Sequence, residues 1–202
     1  MNTNELDKEY YLLYCATQIE LYDSDENGSF VTDCHFDKQP IPDEVQELQF
    51  NVYGKEKTIE SADMISDGII YVISEKTHNA IALFDIPTIQ MVAAKLMHKA
   101  KKQISNNWSY LNMYTNINCL DKSNSECDID DFDGSVSDIS KIVLDSDALS
   151  VVPLKERLIF NLGEMDTHRL FHRSVVDAIM ATEPTGIRFV KVEDYHTGSA
   201  FD

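Results

Sequence analysis

One stretch limits the fold more than any other. Gly68, Ile69, Ile70, Tyr71, Val72 and Ile73 form a continuous apolar run of strand length, and Ser74 follows it. A run this short reads as a buried strand, because helices need roughly ten residues or more. Serine is a preferred helix N-cap, since its hydroxyl accepts from a backbone N–H two or three residues on. The spacing therefore predicts a short helix over 75–83. A second unit with the same order lies near the C-terminus. Residues 168–172 read as a strand, and Ser174 and Asp177 have capping-box spacing. Residues 175–181 are helix-like, Pro184 and Gly186 punctuate, and 187–192 alternate as a strand. The shared strand–serine–helix–strand order hints at an internal duplication.

Other segments agree with short strands. Residues 9–14 are rich in β-formers. Leu48, Phe50 and Val52 alternate with polar residues up to Gly54. Residues 127–132 form a short strand into a Gly134 turn, and 141–144 and 157–160 add two more. Residues 23–28 read as a polar hairpin turn with Asn27-Gly28 as the tight-turn signal, and Pro40 and Pro42 mark an extended connection. Residues 88–104 can be read in two ways. Ile89, Val92, Ala93, Leu96, Met97, Ala100 and Ile104 fall at helical spacing behind a Thr88 cap. The same stretch could instead open a β-hairpin that returns over 109–114. No Pro/Gly/Ser-rich linker divides the 202 residues. The expected fold is α+β, a single domain over 1–202 with its core at about 9–195. Its sheets are mixed or mostly antiparallel, with a few short helices.

Charge narrows the function. The formal net charge is −18, and it is unevenly spread. Residues 1–60 hold fourteen acids against four bases, and residues 121–147 hold nine against two; the stretch between is near neutral. Such a chain is a poor match to a nucleic-acid backbone or an anionic membrane. No apolar segment approaches the roughly 18 residues of a membrane span. The N-terminus lacks a secretory pattern. Cys15, Cys34, Cys119 and Cys127 fit neither a zinc site nor a disulfide framework, so free, mostly buried thiols in a reducing cytosol are expected. The only basic cluster, Lys95, Lys99, Lys101 and Lys102, is placed on a solvated face or a hairpin tip. It could also pair with the acidic window, within the fold or in a homodimer.

Metal and catalytic motifs give little. Asp23, Asp25, Asn27 and Gly28 match the first half of a calcium loop, but the twelfth position is Cys34 instead of a bidentate Glu. His168 and His172 on a strand lie about 13 Å apart, too far for one zinc ion. Cys34 and His35 are adjacent, which does not align a base with a nucleophile. No Walker loop, dinucleotide fingerprint or nucleophile elbow is present. The expectation is therefore no enzyme, no cofactor and no metal.

Several segments, in order, resemble the immunity protein 11 family of bacterial polymorphic toxin systems. Tyr10, Tyr11, Leu12 and Leu13 resemble its first strand. The run from Gly68 through Ser74, Glu75 and Lys76 resembles its strand-then-helix unit. Residues 108–121, from Trp108 to Leu120-Asp121, are similar to its aromatic strand, and Thr185-Gly186 with 187–192 resembles its closing strand. Residues 168–174 and the Ala- and Lys-rich stretch 93–106 depart from the family pattern. The resemblance implies that 89–114 is a hairpin, against the local helical pattern. It also implies a cytoplasmic protein that binds and neutralises one cognate toxin, encoded by the adjacent gene, with no catalytic residues to transfer.

The acidic windows then suggest a basic toxin, with a nuclease as the leading class, because nucleases carry positive charge for their anionic substrate. The residues expected to meet it are Asp128, Asp130, Asp131 and Asp133, then Asp23, Asp25 and Glu26. They would act by steering and by pairing with Lys or Arg. The alternatives are an acidic nucleic-acid mimic acting without a dedicated toxin, and a calcium-binding module.

Overall fold

The computed structural model describes residues 8–17, 19–27, 30–104 and 107–199. In chain order the elements are β1 (Tyr10–Cys15), β2 (Glu20–Asp23), α1 (Phe30–Asp37), β3 (Glu47–Tyr53), α2 (Glu56–Ser61), β4 (Met64–Ser66), β5 (Tyr71–Ser74) and α3 (Glu75–Ala82). There follow β6 (Ile89–His98), β7 (Lys102–Gln103), β8 (Trp108–Met113), β9 (Asn116–Ile117), β10 (Glu126–Ile129), β11 (Val136–Lys141) and α4 (Ser146–Ser150). The chain closes with β12 (Ile159–Leu162), β13 (Arg169–His172), α5 (Arg173–Met180) and β14 (Ile187–Lys191). The class is α+β, as the sequence predicts.

Two sheets carry the architecture. One has the order β2-β3-β6-β8-β5-β4, with β7 paired to the end of β6. Its edge strands β2 and β4 approach each other, so it curls around a first core that includes Leu48, Phe50, Leu96, Trp108 and Tyr110. The other sheet has the order β14-β1-β13-β12-β9. Pairing is antiparallel except for β3–β6 and β12–β9. A second core draws on both sheets and on α3 and α5, through Ile73, Leu111, Leu13, Phe171, Ile81 and Val175. A third core lies on the far face of the second sheet, around Tyr10, Phe160, Leu170 and Ile139. Along β1, Tyr10 and Leu12 face the third core while Leu13 and Cys15 face the second. That alternation is the period of a strand buried on both faces.

The two strand–helix–strand units share one topology. β5 and β6 both pair antiparallel with β8. They therefore run parallel to each other with β8 between them, and α3 makes the crossover. β13 and β14 both pair antiparallel with β1, and α5 makes theirs. The helices α3 and α5 pack together.

The stretch 89–114 is a hairpin: β6 pairs antiparallel with β8 from Ile89↔Met113 to Ala94↔Trp108. Because β6 also pairs with β3, both of its backbone edges are occupied, and this outweighs its local helix propensity. Ala94 sits opposite Trp108 with both side chains in the first core, so the small residue makes room for the indole. Lys99 and Ala100 both have positive φ, the geometry of a tight hairpin turn. The basic cluster is thus partly a hairpin tip. Lys95 and Lys102 pair with Glu47 and Glu56 of neighbouring elements.

Several local expectations are corrected. Residues 23–27 are not a hairpin turn. A 3-10 turn over Asp25–Asn27 precedes α1, and Gly28 lies outside the described residues. The aromatic and β-branched residues of α1 favour strand locally, but Val31 and Cys34 pack it on the first core. The strand after Gly68 starts only at Tyr71, because Asp67 Oδ1 accepts from the N–H groups of Ile69 and Ile70 in a turn. The helix after β13 is capped by His172, whose Nδ1 accepts from Ser174 N, so Ser174 lies inside the helix. The strands expected at 141–144 and 157–160 fall instead at Val136–Lys141 and Ile159–Leu162. Ile142 and Leu144 are buried in the third core without a strand ladder, and Arg157 ends a 3-10 turn. The cysteines are free, but only Cys119 is fully buried. The short α2 and α4 carry no strong periodicity and are visible only in the structure.

Candidate functional site

The hairpin β10–β11 is a two-stranded sheet of its own, outside both large sheets. Its base is fixed. Ile139 is buried in the third core, with Cys127 and Val136 packed against it. Tyr195 Oη donates to the Ile139 carbonyl at 3.0 Å, and His168 Nε2 lies 2.9 Å from the same hydroxyl. Since the tyrosine proton is used on Ile139, the His168 Nε2–H is the donor in that second bond. Burial pushes the His168 ring down to about 4, with nearby Arg169 adding to the effect, so the imidazole is neutral at pH 7.

The tip is held by its own polar groups. Asp130 Oδ1 accepts from Phe132 N at 2.7 Å, and Gly134 N donates to Asp130 O at 2.9 Å. Asp133 Oδ1 accepts from Ser135 N at 2.9 Å, and hydrogen bonds from Ser135 lower its pKa. Gly134 takes φ +72°, which an L side chain rarely adopts. Lys122 Nζ donates to Gly134 O at 3.0 Å. Asp128, Asp130, Asp131 and Asp133 are all exposed, and Phe132 between them is 99% exposed. Asp128 faces Asp138 directly across the ladder.

The second acidic set is built differently. Asp23 Oδ1 accepts from Ser24 N and from the Asn27 amide. That amide in turn pairs with both backbone groups of Gln49, at 2.6 and 2.7 Å. Burial raises the Asp23 pKa, and these hydrogen bonds only partly offset it. Asp23 therefore anchors the 3-10 turn to β3, while Asp25 and Glu26 point to solvent. The two acidic sets stand on different elements, packed on different cores. Among the described residues, no group of three or more His, Cys, Asp and Glu side chains could hold a metal ion.

A residue that no motif singled out holds the resembling segments together. Asp63 is 7% exposed and lies between α2 and β4. Its carboxylate accepts from Ser74 Oγ at 2.7 Å and from Thr185 N at 2.8 Å, and pairs with Lys76 Nζ at 2.8 Å. Its backbone carbonyl accepts from Ser74 N and Thr77 Oγ1. The Ser74-Glu75-Lys76 and Thr185-Gly186 segments thus converge on one buried carboxylate. Burial alone would raise its pKa, but the bonds from Lys76, Thr185 and Ser74 outweigh that and lower it. A polar cavity of about 430 Å³ opens beside it, lined also by Glu60, Glu75 and Asn107. No local sequence signal marks Asp63, because its partners lie 11 to 122 residues away.

A second polar seam joins the sheets. Arg169, 3% exposed, stacks on the Tyr71 ring and donates to Thr167 O at 2.8 Å. Near it Lys38 pairs with Asp166 at 2.7 Å. Burial, with Lys38 and Arg169 beside it, pushes His35 down to about 4.

No helix among the described residues is long and apolar enough to cross a membrane. A comparison with curated proteins gives no match. The sequence does match the Immunity protein family (Imm11) over residues 5–194, from just before β1 to the turn after β14. The matched span takes in all three cores, both strand–helix–strand units and the Asp63 hub, and on that match the chain belongs to the Imm11 immunity protein family.

Proposed function

We propose that this protein neutralises a cognate toxin in the cytoplasm by binding it through the acidic β10–β11 hairpin. The toxin is basic, with a nuclease as the leading class, and is encoded by the adjacent gene. The action is binding, not catalysis, and the chain works as one unit. The observation that carries this reading is the standing of the hairpin: five exposed aspartates, Asp128, Asp130, Asp131, Asp133 and Asp138, gathered on a ribbon that belongs to neither sheet. Clustered carboxylates raise the association rate with a basic partner and pair with its Lys and Arg. Asp25 and Glu26 supply a secondary acidic surface, and Asp23 acts there by holding the turn.

The test is coexpression with the toxin domain of the adjacent gene, scored by growth rescue and copurification. Wild-type protein rescues and copurifies. Asp130→Lys with Asp131→Lys weakens binding and flattens its salt dependence. Unchanged affinity and salt dependence in that variant would remove the hairpin from the interface. Rescue from unrelated nucleases would point instead to a nucleic-acid mimic.

A further inference from the structure

We infer that Phe132 is the anchor of the toxin interface, seated in a pocket with an apolar floor and a basic rim. This rests on the reading above and adds a division of labour to it. A phenyl ring at 99% exposure buries nothing within this fold and contributes no packing to any of the three cores. Its position is nevertheless set: Phe132 N donates to Asp130 Oδ1, and the turn is closed by Gly134 N on Asp130 O. The ring is therefore offered on a short, pre-formed loop, which reduces the ordering cost of binding. Ile129 extends the apolar surface just below the tip, opposite Val136, and is itself 45% exposed.

The surroundings define the partner. Asp130, Asp131 and Asp133 flank the ring, with Asp128 one step down the ribbon. Asp138 lies opposite Asp128, a like-charge pair that weakens the ladder. An aromatic ring inside an acidic collar is complementary to an apolar pocket rimmed by Lys and Arg. It is not complementary to another copy of this acidic tip. The collar speeds encounter, and the ring, once desolvated, holds the complex.

Kinetics separate the two roles. The probe is the purified, catalytically inactivated toxin domain from the adjacent gene, with association and dissociation rates measured at two salt concentrations. Phe132→Ala raises the dissociation rate roughly tenfold or more, with association rate and salt slope nearly unchanged. Phe132→Trp retains slow dissociation. Asp131→Lys lowers the association rate and the salt slope. An unchanged dissociation rate in Phe132→Ala, with wild-type binding intact, overturns the anchor and leaves the function standing. Wild-type protein that fails to bind removes the function itself. A dimer of the free protein that Phe132→Ala dissolves also overturns the inference, since the ring would then serve self-association. The thermal midpoint of Phe132→Ala matches wild type, because the ring packs on no core.

Discussion

Asp128 stands directly across the β10–β11 ladder from Asp138. Both side chains are exposed, so neither charge is needed to complete a core. Like charges in opposed positions cost a ladder stability. Asp138→Asn should therefore raise the thermal midpoint by roughly 1–2 °C, and Asp138→Lys should raise it further. Calorimetry checks this; a lower midpoint in both variants would mean that the pair is not a local conflict. The same substitutions should slow toxin association if the ribbon is the docking element.

Asp63 gives the opposite case, a buried charge that the fold requires. Asp63→Ala leaves Thr185 N without its acceptor and removes the carboxylate partner of Ser74 Oγ and Lys76, which keep Thr77 Oγ1 and the Glu183 carbonyl, and should destabilise the protein by about 1–3 kcal/mol. Denaturant titration measures this. Its lowered pKa also sets a pH dependence. The stabilisation is complete above the ordinary aspartate value of 3.8 and is lost as pH falls from there through the lower folded value. Asp63→Asn should flatten that acid limb.

Gly186 is constrained twice. Its φ is +85°, and a Cβ there would lie 2.3 Å from Thr17 Cγ2. Gly186→Ala should cost about 2–4 kcal/mol, combining left-handed strain with overpacking. Adding Thr17→Ser removes the clashing methyl and should recover only the overpacking part. Full recovery in the double variant would show that the backbone conformation is not strained.

His168 and His35 predict a loss of stability at mildly acidic pH. Both are held at about 4, chiefly by burial, against an ordinary value of 6.5. Between those values the unfolded chain binds protons that the folded chain does not, so stability falls as pH is lowered from about 6.5 to about 4. His168→Gln should reduce the slope of midpoint against pH in that window. Because the ring also supports Tyr195 at the hairpin base, the slope, not the absolute midpoint, is the diagnostic readout.

Much of the fold is legible from local pattern. The alternation in Leu48, Phe50 and Val52, and the Ser74 cap, need only their neighbours to be read, and both stand in the structure. The stretch 89–104 could not be settled locally, since its alanines, lysines and methionines favour a helix. Pairing to β3 and β8, and the fit of Ala94 to Trp108, decided it. Ser174 carries the usual signal for the α5 cap, but the cap lies two residues earlier, where the imidazole of His172, at the end of β13, accepts from the N–H of Ser174 itself. The acidic window 126–133 was plain in sequence. That it forms a separate ribbon with a bare phenyl ring at its tip was not.

By itself the sequence determined the class of fold, the charge that excludes nucleic-acid backbones, and two segments rich in acid. Those follow from composition and short-range periodicity. Tertiary structure decided which acids are bound into the fold and which are free to meet a partner. Asp23 is used internally, Asp63 is a buried hub and Asp130 holds the hairpin tip, while Asp128 and Asp131 face solvent. The physical reason is that burial and hydrogen bonding depend on residues far apart in the chain, whereas charge and periodicity are properties of neighbours.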